Sequence, residues 1–402
     1  MAGKKFKQRE TDVIQDGVVY RMDNNSNSVY KDTYYVYTYT DDLLENVVVA
    51  DKIGDAPVTF LDTKCFYHSE CREVFLPDTI EVIKNDAFRH CENLEEISIP
   101  NSIQEVQSGA FKRCDKLKQT LYSHGLYIGN PENPYLILRT NKNTGCGNLT
   151  VEVHPKTKFI LDTAFSVCRE NGSVGFGHLD NIKQLILHDN LFFIDDNAFY
   201  GSWCPLYIQT ICIDSIEWLC KYGIKLPGRL REKLIVGGKD IDGTVVIPAS
   251  VTNIPQLCFR KCNFIKCVSF EGNISSIGYG AFAHCDNLME VHFPPQIGRI
   301  ETAAFAHCPD LNCIDFYEVE KIDSCAFELC EEKDCRRESW VRKIFAPDKS
   351  GLKEIVFHSH VGEISHKAFA GNLNLKTIHG MENVENIEGD PFVGTPFENK
   401  QE

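Results

Sequence analysis

The chain has 402 residues, of which 43% are hydrophobic and 25% charged, and its formal net charge is −15. This composition is typical of a folded, soluble protein and excludes collagen-like and low-complexity classes. The negative charge argues against binding to nucleic acid or to an anionic membrane surface.

The N-terminal sequence carries no recognisable targeting signal. The basic stretch MAGKKFKQRE precedes no apolar segment, so we expect no signal peptide. No stretch is long and apolar enough to predict a membrane span. As written, the sequence predicts a cytoplasmic protein, and a longer native N-terminus would allow secretion or a cell-surface location.

A repeat of 23 residues runs through most of the sequence, as the intervals from Leu94 to Leu117 and from Leu288 to Leu311 show. The shared pattern is L-x-x-I-x-I-P-x-x-I-x-x-I-x-x-x-A-F-x-x-C. Its Ala-Phe pair recurs at residues 87–88, 110–111, 164–165, 198–199, 281–282, 304–305, 326–327 and 368–369, with degenerate versions at 258–259 and 391–392. These pairs indicate about ten units.

Each repeat predicts one turn of a coil. The I-x-I pair alternates, so both residues point inward from a short strand, and the following proline ends that strand. We expect the small alanine where turns approach closely and the phenylalanine to fill the space between layers. One unit cannot bury its apolar face alone, whereas stacked units can. The fold predicted is a solenoid with a parallel β-sheet on one side.

The pattern L-x-x-I-x-I-P…A-F-x-x-C resembles the BspA-type leucine-rich repeat family over nearly the whole chain. The opening DGVVYRM (16–22) and the stretch 47–66 are similar to the usual N-terminal hairpin cap, and 211–224 with 233–248 is similar to a spacer between repeat blocks. The resemblance implies binding or adhesion. The predicted organisation is a β cap (1–63), a first block (64–204) with a hairpin insert near 118–147, a spacer or internal cap (205–241), and a second block (242–402) with an insert near 331–351.

The interruptions of the repeat predict three further features. Residues 125–140 indicate a β-hairpin with its turn at 130–134. Ser215 to Tyr222 predicts a short helix with Ser215 as N-cap and Trp218 packed inward. The insert near 331–351, with mixed charge and Trp340, predicts a partly helical, exposed excursion, with a recognition element as the alternative.

The 18 cysteines are many for a chain of this length. The last repeat position holds Cys91, Cys114, Cys168, Cys262, Cys285, Cys308 and Cys330, and Cys71 is assigned to it one unit earlier. We interpret this position as a stack of buried thiols, with disulfides or a metal as the alternatives. Cys267 and Cys313 are expected on the open face.

Histidines occur in two patterns that resemble catalytic or metal-binding sites. His90, His284 and His307 directly precede a motif cysteine, and we interpret them as turn residues. His358 and His360, followed by His366, have the alternate spacing of metal ligands on one strand face. A turn or rim location is the preferred interpretation, and metal binding the alternative.

The outward strand residues at positions three and five of each unit should form two columns, because stacked strands lie about 4.8 Å apart. The predicted partner-binding face consists of Glu73, Phe75, Glu96, Glu152, Ile186, Val246, Glu290, His292, Asp315, Glu354, Val356 and His379. Glu290, His292 and Asp315 form its densest polar cluster. A catalytic or metal interpretation of this cluster is disfavoured because a flat face implies no pocket, and the alternative for the whole face is an ordinary solvated surface.

The function predicted from the sequence is a non-enzymatic scaffold that binds a protein or peptide on this outward face. We expect no catalytic residue, no metal, no cofactor and no nucleic-acid partner, and a monomeric chain. The alternative is a cell-surface adhesin or host-contact protein, which requires export. A third hypothesis, an enzyme-associated domain, would use the Glu290, His292 and Asp315 cluster.

Overall fold

The computed structural model describes residues 7–141, 149–162, 164–165, 182–195, 198, 208–224, 230–329 and 351–398. The chain divides into two compact units, which are described separately. Unit 1 comprises Met1–Gly147, Val151–Asp180 and Asn190–Leu206, and unit 2 comprises Asn148–Thr150, Asn181–Asp189 and Tyr207–Glu402. Both consist of β-solenoid turns with parallel strands, about 12 turns in the described part of the chain.

The strands are short, as the repeat predicts. The first seventeen are β1 (Val13–Gln15), β2 (Val18–Met22), β3 (Tyr34–Tyr39), β4 (Asn46–Val48), β5 (Lys52–Ile53), β6 (Ala56–Leu61), β7 (Glu73–Phe75), β8 (Val82–Ile83), β9 (Glu96–Ser98), β10 (Glu105–Val106), β11 (Thr120–Tyr122), β12 (Gly125–Ile128), β13 (Ile137–Asn141), β14 (Leu149–Glu152), β15 (Phe159–Ile160), β16 (Ile182–Ile186) and β17 (Phe193–Ile194).

Unit 2 continues with one helix and further strands. They are β18 (Ile208–Ile213), α1 (Ile216–Tyr222), β19 (Leu230–Val236), β20 (Lys239–Asp240), β21 (Thr244–Ile247), β22 (Asn253–Ile254), β23 (Cys267–Phe270), β24 (Ile274–Ile277), β25 (Glu290–His292), β26 (Gln296–Ile300), β27 (Cys313–Phe316), β28 (Glu318–Ile322), β29 (Glu354–Phe357), β30 (Val361–Ile364), β31 (Thr377–His379), a 3-10 turn (Met381–Asn383) and β32 (Val384–Ile387).

The predicted N-terminal hairpin is confirmed. Strands β1 and β2 pair antiparallel, and the turn residues Asp16 and Gly17 have positive φ values of 49° and 79°. Two positive φ values in a row define a type I′ turn, whose twist matches that of the flanking strands. β3 then pairs antiparallel with β2 and parallel with β6. This change of direction joins the hairpin to the parallel turns that follow.

Each turn has two hydrogen-bonded strand ladders. In unit 1 the first ladder is β4, β7 and β9, and the second includes β6, β8 and β10, all parallel. In unit 2 the first ladder is β21–β23–β25 and, separately, β27–β29–β31, whereas the second runs from β22 through β24, β26, β28 and β30 to β32. The sequence predicts a parallel sheet on one side of the solenoid, and the structure has this second ladder in addition. It forms because the second apolar residue of I-x-x-I, such as Ile83, is also extended and buried.

The Ala-Phe segment closes each turn through left-handed backbone. The residue before the alanine and the residue before the cysteine both have positive φ, as Asp86 (56°) and His90 (61°) illustrate. The next turn repeats the pattern, and backbone hydrogen bonds join the two, with Phe88 N donating to Ala110 O at 2.8 Å. The third side of each turn is therefore bonded to its neighbour as well, which leaves few backbone groups unpaired.

The motif phenylalanines form continuous stacks inside each unit. In unit 1, Phe66, Phe88 and Phe111 follow one another with ring centroids 5.1 and 5.5 Å apart. In unit 2 the stack contains Phe259, Phe282, Phe305, Phe327, Phe369 and Phe392, at 5.1, 5.1, 5.1, 5.4 and 5.6 Å. Each stacked pair contributes about 0.5–1.5 kcal/mol beyond the burial of its area. The alanines beside them are fully buried, which confirms the packing predicted for the Ala-Phe pair.

The motif cysteines form a second internal column and are buried, as predicted. Cys91, Cys114, Cys285 and Cys308 donate to the carbonyl of the phenylalanine one turn earlier, for example Cys91 to Phe66 O at 3.0 Å and Cys285 to Phe259 O at 3.2 Å. Cys262 Sγ instead lies 4.0 Å from Arg260 O. None of the thirteen cysteines that the structure describes forms a disulfide. The position therefore suits a small, largely apolar side chain that can donate one hydrogen bond. Cys168 and Cys330 lie outside the described residues.

Among the described residues, three replace cysteine in this column, each three positions after a phenylalanine of the stack: Ser69, Asn372 and Thr395. Asn372 is 2% exposed, and its amide Nδ2 donates to Phe327 O at 3.0 Å, the same bond that the thiols make. Its Oδ1 also accepts from Leu352 N at 2.9 Å. Ser69 takes the position in the first turn, where its hydroxyl lies 3.2 Å from Cys91 Sγ.

The assignment of Cys71 to the cysteine column is wrong. Strands β7 and β9 pair Glu73 with Glu96, so Cys71 corresponds to Leu94 and stands where the unit begins. It is buried there as a small hydrophobic residue. Its distance of five residues from Phe66, instead of three, is the sequence signal for the different position.

Two predicted insertions are confirmed in their described parts. β11, β12 and β13 pair antiparallel, with the loop between β12 and β13 spanning the expected turn. Helix α1 begins after Ser215, whose Oγ accepts from Trp218 N at 3.1 Å, and Trp218 is buried. Trp203, Phe199 and the insert near 331–351, apart from Gly351, lie outside the described residues.

Truncation within the phenylalanine stack should destabilise unit 2. Phe305→Ala removes a ring that stacks on two neighbours and leaves a cavity, so we expect a loss of about 3–5 kcal/mol of unfolding free energy. Urea denaturation followed by circular dichroism measures the loss. Phe75→Ala, at an exposed strand position, is the matched control and should change stability by about 0.5 kcal/mol or less. Equal losses in both variants would contradict the stack's role.

The asparagine of the cysteine column offers a second test. Asn372→Leu leaves Phe327 O and Leu352 N buried without partners, each at a cost of about 1–3 kcal/mol. Asn372→Cys restores the thiol donor to Phe327 O and leaves only Leu352 N unpaired. Urea midpoints should therefore fall in the order wild type, Asn372→Cys, Asn372→Leu. A leucine variant as stable as the cysteine variant would show that the column does not depend on a donor.

Candidate functional site

The outward residues of the first ladder in unit 1 form a flat surface, the unit-1 strand face. The parallel register aligns Asn46, Glu73 and Glu96 in one column and Val48, Phe75 and Ser98 in the other. The residues between them, such as Val74, point into the core, as strand alternation requires. The two columns predicted from the repeat are therefore present here.

The unit-1 strand face combines exposed apolar and acidic groups. Val48 is 63% exposed and Phe75 54% exposed, and they occupy paired positions on β4 and β7. Glu73 and Glu96 are exposed beside them. Lys118 Nζ lies 2.6 Å from Glu96 Oε2, which raises the pKa of Lys118. This pair is solvent-exposed and contributes little to stability.

Asn46 and Val48 were not predicted as part of the face. The resemblance to the family assigns the stretch 47–66 to the cap, and Ala50 stands where later units have the strand-ending proline. In the structure β4 pairs parallel with β7, so this strand already belongs to the ladder. The signal in the sequence is the run of valines, whose alternation matches that of the next strand.

Glu152 and Ile186, two of the predicted face residues, are only partly exposed. Glu152 ends β14 and is half-buried, and its carboxylate contributes, after burial, to the raised pKa of Tyr122. Ile186 in β16 is half-buried and pairs with Cys212 of β18. In that sheet Gln184 Nε2 donates to Cys212 Sγ at 2.8 Å. Both predicted residues therefore offer only part of their surface to a partner.

The unit-2 strand face consists of the outward residues of β21, β23, β25, β27, β29 and β31. Its first ladder aligns Thr244, Cys267 and Glu290, with Val246, Ser269 and His292 in the second column. The separate β27–β29–β31 part of the first ladder aligns Cys313, Glu354 and Thr377, with Asp315, Val356 and His379 beside them. Val246 is 41% exposed, whereas Glu354 and Val356 are half-buried.

Histidines on this face lie against carboxylates. His292 Nε2 is 3.4 Å from Glu290 Oε2, His379 Nε2 is 3.4 Å from Glu354 Oε1, and His358 Nε2 is 3.6 Å from Asp315 Oδ1. In each pair both side chains are at least 44% exposed. These are solvent-exposed contacts on the strand face.

The cluster of Glu290, His292 and Asp315 is assembled differently from the prediction. Glu290 and His292 contact each other, but Asp315 pairs with His358. The third group beside Glu290 and His292 is Cys267. Its Sγ, a Glu290 oxygen and a His292 nitrogen all lie within 4.8 Å of one another. Among the described residues this is the only such group of three potential metal ligands.

His358, His360 and His366 do not converge. His358 faces Asp315, His360 Nε2 lies 3.7 Å from Glu385 Oε2, and His366 Nδ1 accepts from Asp390 N at 3.3 Å. His358 and His360 occupy the loop between β29 and β30. The preferred interpretation, a turn location, is confirmed.

The histidines before the motif cysteines occupy turns, as predicted, and they are half-buried. His284 and His307 stack with ring centroids 4.5 Å apart, and His90 stacks on His68 at 4.5 Å. Burial and the neighbouring His68 lower the pKa of His90. The adjacent Cys91 thiol is directed to Phe66 O, so no thiol–imidazole pair forms.

The sequence matches the family described as BspA type leucine rich repeat region, in six copies covering residues 58–130, 243–334 and 338–400. No curated protein matches the chain. No helix of the described residues has the length and apolar character needed to cross a membrane.

Several solved structures are similar in fold. A leucine rich cell surface protein from Faecalibacterium prausnitzii A2-165 is 18% identical, with 95% of each chain covered and a TM-score of 0.37. A leucine-rich repeat protein from Eubacterium ventriosum ATCC 27560 is 14% identical, with 95% of this chain and 93% of the other covered and a TM-score of 0.40. One from Bacteroides ovatus ATCC 8483 is 19% identical, at 95% and 92% coverage and a TM-score of 0.35.

Thiol labelling tests the placement of the cysteines. Cys313 is exposed, Cys267 half-buried, and the column thiols buried, where burial raises the pKa of Cys308 to about 12. Burial, followed by Asp315 and Glu354, also raises the pKa of Cys313. Peptide mapping after brief maleimide treatment of the native protein should therefore find Cys313 modified most, Cys267 partly, and Cys91, Cys285 and Cys308 protected until urea is added. Modification of Cys285 before Cys313 would contradict the assignment.

Proposed function

The chain belongs to the BspA-type leucine-rich repeat family, and from this membership we propose that it is a non-enzymatic scaffold that binds a protein partner on its outward strand face. Repeat proteins of this kind bury their conserved pattern in the core and leave the outward strand positions free to vary. Those positions are where a rigid scaffold presents side chains to a partner.

The pairing of Val48 with Phe75 is the observation that carries the proposal. Two large apolar side chains, 63% and 54% exposed, lie side by side on neighbouring strands. The interior of the same turns is already filled by the phenylalanine stack, so these side chains contribute nothing to the core. Exposed aromatic residues with an apolar neighbour are typical of interaction hot spots.

The charges beside this pair define the chemistry of the partner. Glu73 and Glu96 flank Phe75 on a chain whose formal net charge is −15. We expect a partner segment that presents basic side chains to the acidic column and apolar side chains to Val48 and Phe75. Because the face is flat and solid, recognition is through side chains on the surface of the sheet.

The adhesin alternative would use the same face, but it differs from the scaffold proposal because it requires the protein to be exported. It stays a prediction, as does the enzyme-associated domain. Cell fractionation with an antibody against the chain distinguishes the scaffold in the cytoplasm from an adhesin at the surface. In the cluster that the enzyme hypothesis would use, Asp315 Oδ1 lies 3.6 Å from His358 Nε2.

Charge reversal tests the unit-1 strand face. Glu73→Lys or Glu96→Lys should weaken partner binding about tenfold, because a basic partner segment then meets a like charge. Phe75→Ala should have a similar or larger effect. Affinity capture from native extract, quantified by mass spectrometry, identifies partners of the wild type, and titration of a purified partner gives the dissociation constants.

Glu105→Lys is the matched control for these variants. Glu105 is exposed on β10 of the second ladder, and its reversal changes the net charge equally. A partner that tolerates Glu73→Lys, Glu96→Lys and Phe75→Ala as well as it tolerates Glu105→Lys would overturn the proposed interface in unit 1. Glu290→Lys and Asp315→Lys, with Glu318→Lys on β28 as control, test the unit-2 face in the same way.

A further inference from the structure

We propose that Cys267, Glu290 and His292 form a binding site for a borderline-soft divalent cation such as Zn²⁺ on the unit-2 strand face. The three ligand atoms lie within 4.8 Å of one another. A thiolate, an imidazole nitrogen and a carboxylate oxygen are the donors that Zn²⁺ takes in proteins, at about 2.0–2.3 Å. Small side-chain rotations therefore bring all three to one ion.

The sheet itself fixes the positions of the three ligands. Glu290 and His292 are two residues apart in β25, so both point outward while Val291 between them is buried. Cys267 is the direct neighbour of Glu290 on β23. The backbones of both strands are held by the parallel ladder and need not move. Ser269, opposite His292, is small and leaves the fourth coordination position open to water.

The charges of the Cys267 thiolate and the Glu290 carboxylate favour a cation. A bound divalent cation compensates the Glu290 charge and replaces the thiol proton, so that one S–H bond is exchanged for one sulfur–metal bond and the proton passes to solvent. Mg²⁺ and Ca²⁺ prefer oxygen ligands alone, so this set of donors favours soft and borderline cations over them.

Two neighbouring positions on the same face are internal controls. His379 and Glu354 repeat the imidazole–carboxylate contact at the same 3.4 Å, and Glu354 pairs with Cys313 on its other side. Cys313 and His379 lie two strands apart, however, and with Glu354 they are not among the described groups of three donors within 4.8 Å of one another. Cys313 is a second exposed thiol on the face, and it lacks a histidine in its own ladder pair with Glu354. A cation that needs all three donors should therefore distinguish Cys267 and His292 from Cys313 and His379.

Cobalt spectroscopy on the full chain, after treatment with a chelator, tests the site. Co²⁺ should give a thiolate-to-metal charge-transfer band, and Zn²⁺ should displace it. The band should be lost in Cys267→Ser and retained in Cys313→Ser. Because the chain has 18 cysteines, the readout is the difference between these two variants and not the total metal bound.

Calorimetry with Zn²⁺ gives the second readout. His292→Ala should weaken Zn²⁺ binding about tenfold or more, whereas His379→Ala should leave it unchanged. The His292 and His379 side chains are 64% and 59% exposed, so both variants should unfold at the wild-type urea concentration. No Co²⁺ band in the wild type, a band that persists in Cys267→Ser, or equal effects of the two histidine substitutions would overturn the proposal. None of these results depends on whether the strand face binds a protein.

Discussion

The stacking of one phenylalanine per turn is the interaction on which each unit depends. Successive rings lie 5.1–5.6 Å apart, close to the spacing of about 4.8 Å between the hydrogen-bonded strands of neighbouring turns. The left-handed residues on either side of the Ala-Phe segment hold the ring inward, and the thiol column beside it donates to the phenylalanine carbonyls. Because every turn packs only on its neighbours, stability is shared along the stack.

This interior constraint leaves the outward strand residues free for function. The core positions are filled by Phe, Ala, Ile and Cys in nearly every turn, whereas the outward positions of the first ladder differ from turn to turn. In unit 1 they combine Val48 and Phe75 with acidic side chains, and in unit 2 they combine thiols, acids and histidines. A rigid ladder with variable outward residues suits recognition by side chains, and it also places ligand atoms at fixed spacing.

Much of the fold could be predicted from the sequence because the repeated residues are the ones that form the core. The period, the buried Ala-Phe pair and helix α1 with Ser215 as its cap all depend on local patterns. The second parallel ladder is harder to predict, because several of its strands, such as β8 and β10, have only two residues and carry almost no periodic signal. The strand β4 is harder to predict because Ala50 replaces the strand-ending proline of the repeat. Glu290 and His292 were found together for the same local reason, two residues apart on one strand. Their proximity to Cys267 and the contact between Asp315 and His358 depend on how the strands of neighbouring turns are aligned. The sequence of a single repeat unit does not encode that alignment.

The most direct test of the central claim, that the outward strand face contacts the partner, is site-specific photo-crosslinking. A photoreactive phenylalanine analogue at position 75 should link to the captured partner at high yield. The same analogue at position 105, on the second ladder of unit 1, should not. Equal crosslinking at both positions, or crosslinking at position 105 alone, would contradict the account.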